Sequence, residues 1–398
     1  MKIESLKISG VGGIKEMEMN FHDGFNVICG ANGVGKTTIL DIIADAFSAS
    51  KSILKRNANY EKGSYQVSFQ DISGSSKHKN FEVKEFDPTK QDYGRNASQE
   101  SQYVLYFSLN RTIHHNVLDS IPKDQTRKDF ESAQQLHSGV MASDLKGWFV
   151  NRYVFMGRDK SLSEEQERNF ELAKCSLGLL DPSVSFLTVD AGSLDIMLST
   201  DRGDIYFEYL SAGYKTCFYL VLGLIKEIEY RFKSPAIEAK NFNGVVLIDE
   251  IDLHLHPTWQ GPLIKSLKEV FPKAQFIVTT HSPSVLQTLN EKELIALTFD
   301  EKGDVVQKVV ELGRYGLQGW TIEEILKEIM GMSTTTSSEY EIAIRNFDDA
   351  MERADPKAIQ EAYDILKEML HPNNILLKMM EIQTAGLEET NDSVDTPQ

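Results

Sequence analysis

Residues 25–47 read FNVICGANGVGKTTILDIIADAF, and this stretch decides the fold. FNVICG is a short apolar run ending in glycine, the pattern of a buried strand. TTILDIIADAF (37–47) carries apolar residues at helical spacing. Between them, Gly30, Ala31, Asn32, Gly33, Val34, Gly35, Lys36, Thr37 and Thr38 fit GxxxxGK[ST] in the order strand, loop, helix. Glycines let such a loop curl so that successive N–H groups point at phosphate oxygens. Lys36 reaches the β/γ-phosphates, and the helix N-terminus adds positive potential. Thr37 would set its hydroxyl on Mg²⁺.

Working outward, VVLIDEIDLHLHP (245–257) supplies a second strand with Asp249 at its C-terminal end, where α/β sheets bind ligands. Asp249 would hold Mg²⁺ through water, and Glu250 stands where it could orient or deprotonate an attacking water. Read alone, the pair fits an ordinary helix-capping acidic pair better. QFIVTT (275–280) is another strand, followed by His281, which either faces the γ-phosphate or is a structural histidine. His254 and His256 form an HxH, but no other His or Cys lies near them in sequence. Ser211–Thr216 (SAGYKT) opens a long helix spanning Leu210–Phe232, so Ser211 and Gly213 mark a second anion-binding helix end. Two such ends over 170 residues apart suggest one nucleotide held between two subunits.

The remaining pattern fills in an α/β chain. Residues 60–107 are β-rich, and 108–182 are polar and helical, with helices expected at Asp129–Phe149 and Ser163–Leu179. SFLTVDAGSLDIMLST and DIYFEYL return to strand character, and helices follow at Thr258–Val270 and from Pro283. From Gly319 the chain is helical, with apolar positions at Ile342, Phe347, Met351, Ile359, Tyr363, Leu366 and Leu370, and its last ten or so residues look disordered. The expected organisation is an N-terminal lobe (1–107), a helical insert (108–182), a second lobe (183–315), an acidic helical appendage (316–386) and a disordered tail (387–398).

Composition narrows the class. The 398 residues include 42 Lys+Arg against 59 Asp+Glu, a net charge of −17. Residues 316–398 hold 6 basic and 17 acidic side chains, −11 of that total. Such acidity argues against general nucleic-acid binding, which relies on Lys/Arg releasing counterions from phosphates. Lys51, Lys55, Arg56 and Lys62 could still make a local basic patch. The longest strongly apolar stretch, Cys217–Ile225, falls far short of the ~20 residues that span a bilayer. The N-terminus lacks a signal's apolar core. Cys29, Cys175 and Cys217 show no metal spacing, so a reduced, cytoplasmic protein is expected.

The order GxxGxGKTT, LSAG, apolar-DE, strand-His resembles the ATP-binding cassette ATPases of the SMC/RecF/Rad50 type. There these motifs are the Walker A loop, the signature, Walker B with its catalytic Glu, and the switch His. DEIDLHLHPTWQ followed by FIVTTHSP is most similar to the stand-alone ATPases of bacterial anti-phage defence, of the Septu (PtuA-like) and retron-associated kinds. The resemblance implies an ABC-type ATPase head with a mixed sheet, using ATP and Mg²⁺. Glu250 and His281 would be catalytic and Thr37 and Asp249 would hold the metal. Ser211 and Gly213 of one protomer would cap the ATP on Gly30–Thr38 of the other, in a homodimer or higher oligomer. It further implies control of a separate effector, an HNH-type nuclease. The alternatives are a RecF/Rad50-like DNA-repair ATPase and an ATP-binding scaffold without turnover. The signature departs from the family pattern at Ala212 and Tyr214. A clear Q-loop glutamine is missing, and Asn110 in YFSLNR (106–111) stands in its place. His114-His115-Asn116 and His371-Pro372-Asn373 resemble nuclease motifs only by composition. No DxD occurs in 300–398, which excludes a Toprim nuclease.

Overall fold

The N-terminal strands alternate buried and exposed residues and pair antiparallel, whereas the strands that carry the motifs are apolar throughout and pair parallel. The computed structural model describes residues 1–92, 97–111 and 115–392. β1 (Lys2–Val11) and β2 (Ile14–Asn20) form a hairpin, and β3 (Phe25–Gly30) leads into α1 (Lys36–Phe47). β4 (Gly63–Gln70) and β5 (Ser76–Val83) follow, then β6 (Val104–Phe107), α2 (Asp129–Ser138), α3 (Leu145–Phe155) and α4 (Glu164–Leu180). β7 (Ser185–Val189), β8 (Ile196–Thr200) and β9 (Gly203–Tyr206) make a three-stranded sheet before α5 (Ala212–Arg231). β10 (Val245–Ile248), α6 (Pro257–Val270), β11 (Gln275–Thr279) and α7 (Pro283–Leu286) complete the motif region. β12 (Leu294–Phe299), β13 (Val305–Lys308) and α8 (Ile322–Glu324) lead to α9 (Ser338–Glu352), α10 (Pro356–Met369) and α11 (Ile375–Asp392).

The order β2-β1-β4-β5 gives one antiparallel sheet, and β13-β12-β3-β11-β10-β6 a mixed one. In the mixed sheet only the β12–β13 pair is antiparallel. Every residue of β3, β6, β10 and β11 is buried, as parallel strands covered on both faces must be. In β4, by contrast, Tyr65, Val67 and Phe69 turn inward onto α1 while their neighbours are less buried. In register, Ile248 pairs with both Phe107 and Val278, so the C-terminal ends of β6, β10 and β11 lie level. The fold is the expected α/β arrangement with a mixed sheet and a helical C-terminal part.

Several local expectations need correction. The helix expected over Asp129–Phe149 is two, α2 and α3, because Gly139 adopts φ +82° and ends the first. The segment 108–182 is no separate lobe: Trp148, Phe149, Phe170 and Leu177 share one core with β3, β6 and α5. β12 and β13 add two strands beyond those expected, and the helix from Pro283 is a single turn. The chain divides into Met1–Gly331 and Met332–Gln398, later than the expected boundary at 315, because Leu317, Ile325 and Ile329 bury in the head core. Within the second unit, Phe347, Ile359, Tyr363 and Leu366 are buried as the periodicity requires, whereas Ile342 is 55% exposed. Of the expected tail, α11 continues to Asp392 and 393–398 lie outside the described residues.

Candidate active site

The motif residues converge where the parallel strands end. Gly30 closes β3 at φ +143°, and a Cβ there would sit 2.3 Å from the Leu297 carbonyl oxygen on β12, so only glycine fits. Gly35 at φ +87° starts α1 without a side-chain cap, which leaves the helix N-terminal amides free to face an anion. Ala31, Asn32 and Gly33 are exposed, and Val34 is buried as the anchor of the loop. Lys36 is 6% exposed, and its Nζ donates to the carbonyls of Gly30 and Ala31, both at 2.9 Å. Burial pushes its pKa down, while Glu250, Asp249 and Asp252 nearby oppose the shift.

Asp249 is buried at the end of β10, and its backbone N–H donates to Phe107 O of β6 at 3.0 Å. Its carboxylate accepts from Thr37 Oγ1 at 3.1 and 3.0 Å and from Thr279 Oγ1 at 2.6 Å. A hydroxyl and a carboxylate meeting at the head of α1 are two hard oxygen donors, which suits Mg²⁺. Thr38 is half-buried one residue further along α1. Glu250 follows at φ +48°, with its N–H donating to Thr279 Oγ1 at 2.7 Å. Thr280 Oγ1 donates to Asp252 at 2.5 Å, and the backbone N–H of His281 reaches the same carboxylate oxygen at 3.3 Å. His281 is half-buried, and burial together with the Lys36 ammonium lowers its pKa. That favours a neutral imidazole at pH 7.

Ser211 and Gly213 lie elsewhere on the surface of the same unit. Ser211 caps α5, its Oγ accepting from Tyr214 N at 3.4 Å, and both Ser211 and Ala212 are exposed. A Cβ at Gly213 would meet His254 O at 3.0 Å, and Tyr214 packs on Trp259 with ring centroids 4.1 Å apart. No hydrogen bond joins 211–216 to the phosphate loop among the described residues. The HxH histidines bind no common partner: His256 caps α6 through Thr258, and His254 is exposed.

Four functional neighbours escape sequence reasoning. Thr279 bridges Asp249 to Glu250, Asp252 holds the His281 turn, and Tyr106 donates to Asp41 on α1 at 3.1 Å. Arg111 sits one position past the exposed Asn110 and reaches the carbonyls after β10. Only the TT of FIVTTHSP was a readable signal, as paired hydroxyls before the histidine. Of the local basic patch, Lys62 pairs with Glu82 at 3.6 Å, and Arg56 donates to the carbonyl of Tyr60 at 2.7 Å. His115 is 3.3 Å from Asp195, while His114 lies outside the described residues. No helix among the described residues is long and apolar enough to cross a membrane.

Comparison with known proteins bears directly on this arrangement. The AAA domain family matches residues 5–211. Septu protein PtuA of Bacillus thuringiensis is 42% identical over 386 residues, which cover 96% of this chain and 98% of that protein. The chain belongs to the Septu PtuA family. The retron Ec83 probable ATPase of Escherichia coli is 34% identical over 149 residues, 37% of this chain and 26% of that protein. The SMC head domain from Thermotoga maritima superposes with a TM-score of 0.44 at 17% identity, covering 78% of this chain and all of that one. The motifs and the comparison thus reach the same family, and the phosphate loop, the signature segment through Ser211 and the strands between them fall inside the matched AAA region. This PtuA-family head carries its β10 and β11 site residues beyond that region.

Proposed function

We propose that this PtuA-family chain hydrolyses ATP in a site completed by a second copy, and through that cycle regulates a separate effector, a nuclease of the HNH type. The observation that carries the reading is the meeting of Thr37 and Asp249 at 3.0–3.1 Å beside the buried Lys36. Gly30–Thr38 would cradle the phosphates, with Lys36 exchanging loop carbonyls for phosphate oxygens. Thr37 and Asp249 would hold Mg²⁺, which supplies charge neutralisation on the β- and γ-phosphates. Glu250 orients and deprotonates the attacking water, and His281, neutral and near both Lys36 and Glu250, faces the γ-phosphate. Ser211 is exposed and Gly213 half-buried, and among the described residues neither bonds the loop of its own chain, which fits a role against a partner copy's nucleotide.

Phosphate release by the wild type, Lys36→Ala and Glu250→Gln tests the chemistry. Turnover should fall by about 10²–10⁴-fold in Glu250→Gln while ATP still binds. Light scattering of Glu250→Gln with Mg-ATP should show a dimer that Ser211→Arg abolishes. A wild type that binds ATP without releasing phosphate would leave the scaffold alternative standing. ATP-independent association, or association unaffected by Ser211→Arg, would remove the composite site. Co-purification with the neighbouring gene product, and loss of phage protection in Glu250→Gln, test the regulatory part.

A further inference from the structure

Arg111 grips the turn that presents Glu250. It lies four residues past β6 and is 3% exposed. Its Nε donates to Ser108 O at 3.1 Å, Nη1 to Glu250 O at 3.1 Å, and Nη2 to Asp249 O. All three acceptors are backbone carbonyls, and no carboxylate forms an ion pair with this guanidinium among the described residues. Burial disfavours this cation even with the carboxylates of Asp249, Asp252 and Glu250 nearby, and the fold nevertheless keeps it here. The reason is visible in the backbone. Glu250 occupies the left-handed region at φ +48°, where side chains other than glycine are uncommon. The turn makes two consecutive carbonyls, those of Asp249 and Glu250, converge. Their dipoles repel unless a donor sits between them, and the planar fork of an arginine spans both at once. From the opposite side, Thr279 Oγ1 accepts the Glu250 N–H at 2.7 Å. The peptide groups before and after the Glu250 Cα are therefore both held by side chains, and a fixed backbone fixes the direction of the Cα–Cβ bond.

We propose that Arg111 is a positioning residue for Glu250: by clamping the carbonyls of Asp249 and Glu250 it holds the left-handed turn that aims the carboxylate at the attacking water. This rests on the reading that Glu250 activates that water. Arg111 then sets the turnover rate and contributes little to nucleotide affinity, since it bonds the backbone of the turn and no residue of the phosphate loop. Arginine is required because one ammonium cannot bridge two carbonyls and Ser108 O in the plane of a guanidinium.

The test measures kcat and KM for ATP, active sites titrated with a fluorescent non-hydrolysable ATP analogue, and thermal melts for wild type, Arg111→Lys, Arg111→Met and Glu250→Gln. Per bound nucleotide, kcat should fall by about 10–100-fold in Arg111→Met, the scale of a misplaced catalytic group, with Arg111→Lys between it and the wild type. Analogue affinity should stay within about threefold, against which the loss in kcat is read. If Arg111→Met does not fold, Arg111→Lys carries the test alone. A kcat per site within twofold of wild type in the folded variant overturns the inference. So does an affinity loss equal to the loss in kcat/KM, which would make Arg111 a binding group. Glu250→Gln inactive with Arg111→Lys unimpaired removes only the positioning role. Glu250→Gln turning over like wild type removes the reading that Glu250 activates the water, and this inference with it.

Discussion

Asp41 offers a test of how the site's electrostatics load the fold. It lies on α1 one turn beyond Thr37, accepts from Tyr106 Oη at 3.1 Å, and stands near the charges of Asp249 and Asp45. Burial pushes its carboxyl from the ordinary 3.8 up to about 6, and the neighbouring carboxylates add to the rise while Tyr106 opposes it. Because the folded value lies above the unfolded one, the favourable contribution is complete below pH 4. It is lost as pH rises through about 6. Two units correspond to about 3 kcal/mol, and partial solvent access reduces this to about 1–3 kcal/mol. Asparagine copies the protonated acid in shape and still accepts from Tyr106. Asp41→Asn should therefore exceed wild type by about 1–3 kcal/mol at pH 7.5 and by only about a third of that at pH 4.5. Guanidinium unfolding at both pH values, compared as wild type minus variant, isolates this one group from every other titration. A difference that is the same at pH 4.5 and 7.5 would refute the reasoning.

Three further outcomes follow from the same geometry. Glu227 is wholly buried among Arg127 at 3.2 Å, Lys226 at 3.3 Å and Arg231 at 3.7 Å, and these cations hold its carboxyl down at about 2 against the effect of burial. Its contribution is present above the unfolded value near 4.3 and fades as pH falls towards 2, so Glu227→Gln should cost about 3–5 kcal/mol at pH 7. An unchanged denaturation midpoint would contradict this. Burial raises the Cys29 and Cys217 thiols to about 12, whereas Cys175 is exposed. A thiol reagent should label one equivalent in the native protein and three after denaturation; more than one native equivalent would be the contrary result. Gly30→Ala forces a Cβ against Leu297 O at a left-handed φ, and should weaken ATP binding and lower stability by about 1–3 kcal/mol or more. A variant that melts and binds ATP like wild type would show that β12 gives way.

The legible and illegible parts of this chain differ in what determines them. FNVICG, VVLI and QFIVT could be read because a strand buried on both faces has no polar position to spare, and because each ends in a residue of unusual chemistry: Gly30, Asp249 and His281. Phosphate-binding geometry imposes its own residues on the loop, so the order strand, glycine loop, helix around Gly30–Thr38 is legible in the sequence. Arg111 is not, since an arginine in a polar loop carries no local mark. Its burial arises only when β6 pairs with β10 and brings 108–111 under the turn at Asp249–Glu250. LIALTF was lost among charged neighbours at 291–293 and 300–304, although its apolar run seats β12 against β3. A glycine inside a helical pattern is compatible with a continuous helix, and only the φ of +82° at Gly139 marks an end there.

The helix that Ser211 opens is tied to the carboxylate turn within one head. At its N-terminus α5 presents Ser211 and Gly213. In its last two turns Lys226, Glu227, Glu229 and Arg231 are all buried, facing Arg127, Asp144 and Arg152. Ion pairs of this kind are weak evidence for stability, since apolar side chains of the same volume could fill the space. Their geometry, however, is unforgiving: a helix that slid or turned by one residue would bury its charges against the wrong partners. Arg231 donates to Val104 O at 2.6 Å, fastening the end of α5 to the start of β6. The end of β6 accepts the Asp249 N–H through Phe107 O, and the residues just beyond it supply Arg111. One buried strand therefore touches α5 at one end and the carboxylate turn at the other. A shift of α5 cannot leave β6 where it was, and a shift of β6 moves both the hydrogen bond on Asp249 and the clamp on Glu250.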